Sequence, residues 1–368
     1  MLVLIKNKFF KKFLFLPKFF TFLPSSLQKK QKQIRPYFGI NTFSTGGPYI
    51  RTKRLIEYFG NHLFAPNIIY AQSYWSVEEI LDCMEYSKKT KIPIIFNQNG
   101  WFYRAWYDGN SKYRNKLLCK IQNKSQLTIY QSKFCKTFSK ILNNSYEKNS
   151  IVLHNDVPNY KIKKLSKKNF FLVSGIFDKN SANVILPAVK AFYYLSQKKN
   201  LKKNKIKLIV TGVFKSSAKT SVWYKEYLHY SSKLEKINYF EYRGIYNSKN
   251  KNFILKDIAF SLHLKYNDPC PNAVVENIKK GIIHIYSNSG SLKELLGHAG
   301  VPINLEKNNT NNLLSVNYRV LAKKILISIK HKSLLYNKTR LQRNKFNYKN
   351  YLQVHKNIFE KFILTTKN

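Results

Sequence analysis

The sequence predicts an α/β protein built from two consecutive doubly wound domains. Three observations carry this expectation. The chain has 368 residues, too many for one ordinary core. Short, wholly apolar runs alternate with longer amphipathic ones, the pattern of strands buried on both faces of a parallel sheet. The alternation stops once, at "VPNYKIKKLSKKN" (157–169), and then restarts.

Taken in order, "YFGINTF" (37–43) reads as a strand running into "STGGPYIRTKRLIEYFG" (44–60), a turn and then a helix. "NIIYAQS" (67–73) is a strand, "VEEILDCMEYSKKT" (77–90) a helix, and "IPIIFNQNG" (92–100) a strand. "LTIYQS" (127–132), "KFCKTFSKILNN" (133–144) and "SIVLHND" (150–156) give strand, helix and strand. After the interruption come strand "FFLVSGI" (170–176), helix "ANVILPAVKAFYYLSQKK" (182–199), strand "IKLIVTGV" (206–213), helix "SVWYKEYLHYSSKL" (221–234) and strand "INYFEYRG" (237–244). Strand "IAFSLHL" (258–264), helix "NAVVENIKK" (272–280), strand "IIHIYS" (282–287) and helix "LKELLG" (292–297) complete the second set. A last helix is expected over 339–364, where apolar residues recur at helical spacing. Two doubly wound domains place a ligand in the crevice at the carboxyl ends of their strands.

Composition bounds the partners. Hydrophobic residues make up 44% and aromatics 15%, so the chain can bury cores. Lys and Arg number 65 against 18 Asp and Glu, a formal charge of +47. That balance admits nucleic acid, an anionic membrane surface or phosphorylated substrates. It reads equally as background, since Lys and Asn are frequent throughout. No nucleic-acid-binding motif is visible, so no specific nucleic-acid partner is expected. The four cysteines (Cys83, Cys119, Cys135, Cys270) form no CxxC. This argues against a zinc site and fits a reducing compartment. The first acid is Glu57. Lysines and two prolines interrupt the Phe- and Leu-rich start too often for a spanning helix. Residues 1–34 therefore read either as a segment lying on an anionic membrane or as a loosely packed extension.

The most informative stretch is "HLKYNDPCPNAVVENIKKGIIHIYSNSGSLKELLG" (263–297). Pro269 and Pro271 hold Asp268 and Cys270 in extended backbone. Pro271 can open the following helix at no hydrogen-bonding cost. Asp268 thus sits in a stiff loop at the carboxyl end of a strand, with Glu276 about one and a half turns into the helix. The next strand ends at "SNSGS", whose amides precede helix "LKELLG" and suit a phosphate. Plainer readings exist. Glu276 and Lys280 at i,i+4 could form an exposed ion pair. Asp268 could be a turn residue before proline. Gly281 and Gly297 read as helix C-caps, and His154, His263 and His284 as structural residues.

On these residues the chain resembles the retaining glycosyltransferases of family 4, which have the GT-B fold of two Rossmann-like domains facing a cleft. That family's signature is an acid, seven residues, Glu on a helix, a strand, a glycine turn and a further Glu. It maps onto Asp268, Glu276, Gly281, Gly290 and Glu294. "STGGPYIRTKRLIEYF" is similar to the family's first glycine loop and helix. "NQNGWFYRAWYDG", "YQSKFC", "VLHNDV" and the Tyr-Asn-Asp-Pro-Cys-Pro-Asn loop (266–272) resemble a bacterial subgroup.

The resemblance implies roles. Glu276 would accept hydrogen bonds from ribose hydroxyls of a UDP- or GDP-linked sugar, and Asp268 would hold the donor sugar. Gly46 and Gly47 would let backbone approach the diphosphate, while Ser289, Gly290, Ser291 and Glu294 would line the donor pocket. The leaving phosphate would help deprotonate the acceptor, with no metal and no cofactor; none of the six aspartates forms Asp-x-Asp. The family's Arg and Lys for the diphosphate are replaced here by Ile176 and Ser181. Lys179, Lys215 or Arg243 are the candidates to supply that charge. Ile283 stands for the strand's Pro, and Ser291, in place of a second Gly, would narrow the donor pocket. Asn99, Gly100, Trp101 and Trp106 are candidates for an acceptor loop, the aromatics fitting a core equally well.

The expected organisation is an extension over 1–34, an acceptor domain over 35–155, a linker over 156–168 and a nucleotide-sugar domain over 169–338. Residues 339–368 would pack back toward the first domain. The expected activity is sugar transfer from a nucleotide-sugar to a glycan or lipid-linked acceptor for cell-surface polysaccharide or glycolipid, the alternative being a catalytically degenerate GT-B protein that binds glycan or nucleotide. Its expected location is the cytoplasm or the inner face of the membrane.

Overall fold

The computed structural model describes residues 33–39, 47–103, 107, 109–143, 149–198, 202, 204–246, 250–307 and 314–365. The extension up to residue 32, Gly46 and Trp106 lie outside the described residues. Two compact units result, residues 1–155 with 348–368, and residues 156–347.

Unit 1 begins with β1 (Pro36–Tyr37), α1 (Gly47–Phe59), β2 (Ile68–Gln72), α2 (Val77–Thr90) and β3 (Ile94–Gln98). It continues with α3 (Ser111–Lys124), β4 (Leu127–Tyr130), α4 (Lys133–Asn143) and β5 (Ser150–Val152). Unit 2 holds β6 (Asn169–Phe177), α5 (Ala182–Gln197), β7 (Ile206–Phe214), α6 (Ser216–Lys219), α7 (Val222–Lys236), β8 (Phe240–Tyr242) and α8 (Lys251–Ile254). Then come β9 (Ile258–His263), α9 (Asn272–Lys280), β10 (Ile283–Ser287), α10 (Leu292–Leu296) and β11 (Gly300–Ile303). The hairpin β12 (Leu305–Lys307) and β13 (Leu314–Val316), α11 (Tyr318–Lys330) and α12 (Lys332–Gln342) end this unit, and α13 (Tyr348–Thr365) returns to unit 1.

In unit 1 the five strands are parallel, in the order β1-β2-β3-β4-β5. Successive side chains point to opposite faces of a strand. Ile68, Tyr70, Ile95 and Ile129 therefore meet Leu55 of α1 and Tyr351, Leu352 and Phe359 of α13. Ile69, Ala71, Ile94 and Phe96 meet Ile80 and Cys83 of α2 and Leu117, Leu118 and Ile121 of α3. Because β1, β2 and β3 are consecutive neighbours, α1 and α2 on opposite faces give their crossovers opposite hand.

In unit 2 the parallel order is β11-β10-β9-β6-β7-β8. The chain starts in the middle at β6, runs outward through β7 and β8, and returns beside β6 as β9. The switch point of this doubly wound sheet lies between β6 and β9, where ligands bind at the carboxyl ends. Phe171 of β6 stacks on Phe260 of β9 at 4.4 Å. At the other flank of β6, Gly212 has φ +129°, and a Cβ there would lie 1.8 Å from the Gly175 carbonyl oxygen. Any side chain would force the ends of β6 and β7 apart.

Three boundaries differ from the sequence expectation, and helices α3 and α11 have no counterpart in it. The extension stops short of residue 33, since Asn67 donates to the Gln33 carbonyl at 2.9 Å and Ile34 packs on the α1–α13 cluster. The linker expected over 156–168 belongs to unit 2. There Lys279, wholly buried, pairs with Asp156 at 2.5 Å and donates to the Val157 carbonyl, while Lys163 N donates to the Lys280 carbonyl at 3.1 Å. A buried ammonium needs those oxygens, so the segment is fixed. The last helix starts at Tyr348 and not near 339, because Phe346 is extended (φ −110°, ψ 105°) after a 3-10 turn over Arg343–Lys345.

Candidate functional site

The acid loop after β9 and the turn after β10 are laced together in unit 2. Ser287 Oγ donates to the Lys265 carbonyl at 2.7 Å, and Asn267 N donates to Ser289 Oγ at 3.1 Å. The Ser291 amide and hydroxyl both donate to the Asp268 carbonyl, at 3.0 and 3.1 Å. Gly290 has φ +62°, and a Cβ there would stand 2.5 Å from the Asp268 carbonyl oxygen. Glycine is thus required twice over, by its dihedral and by the close approach.

Ser291 is fully buried, and its hydroxyl donates to the Asp268 carbonyl. Helix α10 has five residues, and the amide of its N-cap, Ser291, is donated to Asp268. Glu294 lies half-buried in its first turn.

Asp268 is buried at the carboxyl end of β9. Its Oδ2 is 3.2 Å from His263 Nε2 and 3.5 Å from Lys265 Nζ. Burial by itself raises the carboxyl. The Lys265 charge and the His263 hydrogen bond outweigh it and hold the group at about 2. His263, expected to be a plain core residue, is therefore a partner of the acid. Lys265 passed unnoticed in the sequence, although it lies three residues before the acid in the same loop. His284, also expected to be a satisfied core residue, is buried on β10, with no hydrogen-bond partner for either ring nitrogen at ordinary geometry among the described residues.

Glu276 is buried one turn into α9. Its Oε2 pairs with Lys251 Nζ at 2.5 Å and accepts from Tyr246 Oη at 3.4 Å. Lys251 also donates to Tyr160 Oη at 2.9 Å, and its ammonium lies 4.4 and 5.6 Å from the Tyr160 and Tyr246 rings. The exposed Glu276–Lys280 pair is replaced by this buried one. Lys280 instead lies over the Tyr160 ring at 4.8 Å. Burial, then the Lys251 and Lys163 charges, lower it to about 8.

The three candidate phosphate cations separate. Arg243 bonds Glu241 at 2.8 Å and the carbonyls of Ile254 and Lys256 at 2.8 and 3.1 Å. Its guanidinium straps β8 to α8. Lys179 and Lys215 are exposed on the loops after β6 and β7. Ile176 is half-exposed at the end of β6, and Ser181 bonds Asp178.

In unit 1 the sequence reading missed the central residue. Arg51 of α1 is 1% exposed. It donates to Asn155 Oδ1 at 3.1 Å, Gln72 Oε1 at 2.8 Å and Asn99 Oδ1 at 2.6 Å. Gln131 donates to Asn99 and to Asn97, and Asn155 donates to Gln131 at 2.9 Å. These amides stand at the carboxyl ends of β2, β3, β4 and β5. Gly47 opens α1 one turn before Arg51. Of the expected acceptor loop, Asn99 joins this network. Gly100 has φ +125° and donates to Gln98. Trp101 is a core residue packed with Phe102, Leu117 and Leu118, because its ring is 2% exposed.

No family model matches the chain, and no curated protein matches it. Solved structures do. HepE of Anabaena in complex with UDP-glucose is 13% identical, covers 86% of this chain and 90% of its own, and superposes with a TM-score of 0.64. The sucrose-phosphate synthase of Thermosynechococcus elongatus is 11% identical over 86% of this chain and 78% of its own, with a TM-score of 0.61. A glycosyltransferase of Rickettsia africae is 15% identical over 87% and 83%, with a TM-score of 0.59. The fold is GT-B, with two Rossmann-like parallel sheets.

Proposed function

We propose that the protein transfers a sugar from a nucleotide-sugar donor to an acceptor, as a family 4 enzyme acting with retention. One observation carries the reading. Two buried acids, eight residues apart, sit at the switch point of unit 2, and a glycine turn is folded onto the backbone of the first. The fold supports it, as does the UDP-glucose named with HepE. In this reading Glu276 receives the ribose of a UDP- or GDP-sugar, and Asp268, kept ionised by Lys265 and His263, receives the sugar hydroxyls. The donor's anomeric C–O bond to phosphate breaks, and the acceptor oxygen bonds to that carbon on the same face. The acceptor proton passes to the departing phosphate, so neither a protein nucleophile nor a metal is needed. Lys179 or Lys215 would offset the diphosphate charge. The product is a hexosylated glycan or lipid-linked glycan, made at the cytoplasmic side of a membrane.

A second reading, a GT-B protein that binds a nucleotide or glycan without turnover, is favoured by Ile176 and Ser181 at the usual cation positions and by the engaged Arg243. A thermal-shift screen of UDP- and GDP-sugars, followed by release of nucleotide in the presence of acceptor extracts, separates the two. A ligand that binds only the folded chain raises the melting temperature with occupancy. Stabilisation with nucleotide release supports transfer, stabilisation without release supports the silent binder, and no stabilisation by any nucleotide removes both.

A further inference from the structure

The Arg51 network contains one full positive charge and no acid. Its partners are the side-chain oxygens of Gln72, Asn99 and Asn155, all neutral. Among the described residues no carboxylate pairs with it, and residues 40–46 contain no Asp or Glu. The titratable neighbours are kept neutral as well. Tyr70 is raised by burial, and Tyr74 is raised by burial to about 12. Burial, with the Arg51 charge adding to it, lowers His355 to about 4. The nearest acid along α2, Glu79, accepts from Tyr37 at 3.2 Å.

A buried guanidinium held only by amides is an incomplete arrangement. Removing a charge from water carries a large penalty, which buried charges ordinarily offset with an opposite charge. Among the described residues, two donors in the network also lack an acceptor. Arg51 Nε and Asn99 Nδ2 are both buried without a hydrogen-bond partner. The Asn99 amide is oriented by its oxygen, which accepts from Arg51 and from Gln131. Its NH2 group is therefore turned away from those donors. Orphan buried donors are rare because each costs a lost hydrogen bond. Here both orphans are donors, one on the cation and one on its partner Asn99, which stands at the carboxyl end of β3, where such sheets bind ligands.

We infer that Arg51 and Asn99 form a built oxyanion site in unit 1, filled by a phosphate or carboxylate borne by the acceptor. The site stands on the network alone. That its ligand is the acceptor rests on the transfer reading above. The guanidinium Nε–H and the Asn99 NH2 are both donors that the oxygens of an anion would satisfy. The acceptor would then be an acidic glycan or a lipid-linked phosphate, and a neutral sugar would leave the charge unmatched.

The test uses the full chain and three variants, with melting temperature as the readout in a buffer of neutral zwitterion. Inorganic phosphate, glucuronate and neutral glucose are the probes, with UDP and GDP as a separate arm. Phosphate or glucuronate at about 10 mM is expected to raise the melting temperature of the parent by about 3 °C, and glucose not at all. Whichever of the two acts more strongly identifies a phosphate or a carboxylate source. Asn99→Asp supplies the missing acid beside Arg51, so it is expected to stabilise the ligand-free chain and to abolish the response. Arg51→Met is expected to abolish the response. Arg51→Lys keeps charge without the fork and is expected to weaken the response at least tenfold in half-saturating concentration.

A response that survives in Asn99→Asp or Arg51→Met would be surface binding by a chain of charge +47 and would overturn the site. So would a parent that responds to neither anion, or an Asn99→Asp chain less stable than the parent. Loss of UDP or GDP binding in Arg51→Met would move the site from acceptor to donor diphosphate. If no nucleotide binds the parent while the anion response still vanishes in Asn99→Asp, the site stands and the transfer reading falls.

Discussion

At the scale of single residues, Glu276 and Asp268 were legible as a pair, but their partners were not. Nothing in local spacing announces that Lys251, 25 positions upstream, would reach Glu276. The nearer Lys280 was the plain choice, and it lies instead on an aromatic ring. The pairing changes what a mutation does. Glu276→Gln keeps the volume but strands the half-buried ammonium of Lys251. Breaking a buried pair from one side typically costs about 3 kcal/mol of stability. The double change Glu276→Gln with Lys251→Met should regain most of that. Donor affinity should nevertheless stay about 1.5–3 kcal/mol weaker in both, because the carboxylate acceptor is gone from each. Calorimetry against UDP and chemical denaturation of the single and double variants measure the two quantities. Parental affinity in either variant would remove the ribose role. Asp268 gives a pH test. Its folded value, about 2, lies below that of an unfolded Asp near 4. The contribution is therefore complete above about pH 4 and is lost as the pH falls through 2. It amounts to about 2 kcal/mol, so Asp268→Asn should flatten the stability curve between pH 4 and 2. An unchanged slope would mean that His263 and Lys265 do not hold the carboxylate.

At the scale of elements, the buried strands were readable because each is a short apolar run, whereas the strand orders were not, since one alternation gives a sequential sheet in unit 1 and a switched one in unit 2. Helix α3 was hidden because "SKYRNKLLCKIQNK" is dominated by polar residues, two of which, Arg114 and Gln122, are buried beside Leu117, Leu118 and Ile121. Helix α11 had no counterpart in the expectation, and the end of α12 was joined to the expected terminal helix, since only the extended Phe346 separates α12 from α13. The Arg51 network was invisible for a different reason. Its members come from α1 and from the ends of four strands, so no window of sequence contains it. Helix α13 is joined to the edge of this network through His355, whose Nε2 is 3.0 Å from Tyr70 Oη and whose Nδ1 meets the Tyr351 carbonyl at 2.9 Å. Burial lowers His355 to about 4. Its folded value is thus below that of an unfolded His near 6.5, and the neutral ring is the form the fold accepts. Stability should be complete above about pH 6.5 and decline as the pH falls toward 4, by about 3 kcal/mol in all. His355→Gln should decline less over that range. Equal slopes in urea denaturation at pH 7 and pH 4.5 would show that α13 does not depend on a neutral His355.

At the scale of the whole molecule, the division into two units was signalled by the break in alternation, but its edge was misjudged. Polarity suggested a linker over 156–168, whereas Asp156 and Val157 are fixed by Lys279 within unit 2. Net charge was the least decisive feature. Among the described residues no helix is long and apolar enough to cross a membrane. Residues 1–32 carry eight lysines and no acid, set among Phe and Leu. Their removal leaves most of the +47 in place, which makes the source of any membrane affinity separable. Attraction by charge alone is long-ranged at low salt and is screened within about 8 Å at physiological ionic strength. Insertion of apolar side chains persists when salt rises. The chain beginning at residue 33 should therefore still sediment with vesicles containing anionic phosphatidylglycerol at low salt. It should lose the fraction that resists about 0.3 M salt, while the full chain retains it. Its melting temperature should stay within about 1 °C of the parent, because Gln33 and Ile34, which contact unit 1, are kept. Equal salt resistance in both chains would place the membrane affinity elsewhere on the basic surface. An unfolded product would mean that the segment is part of the unit 1 core.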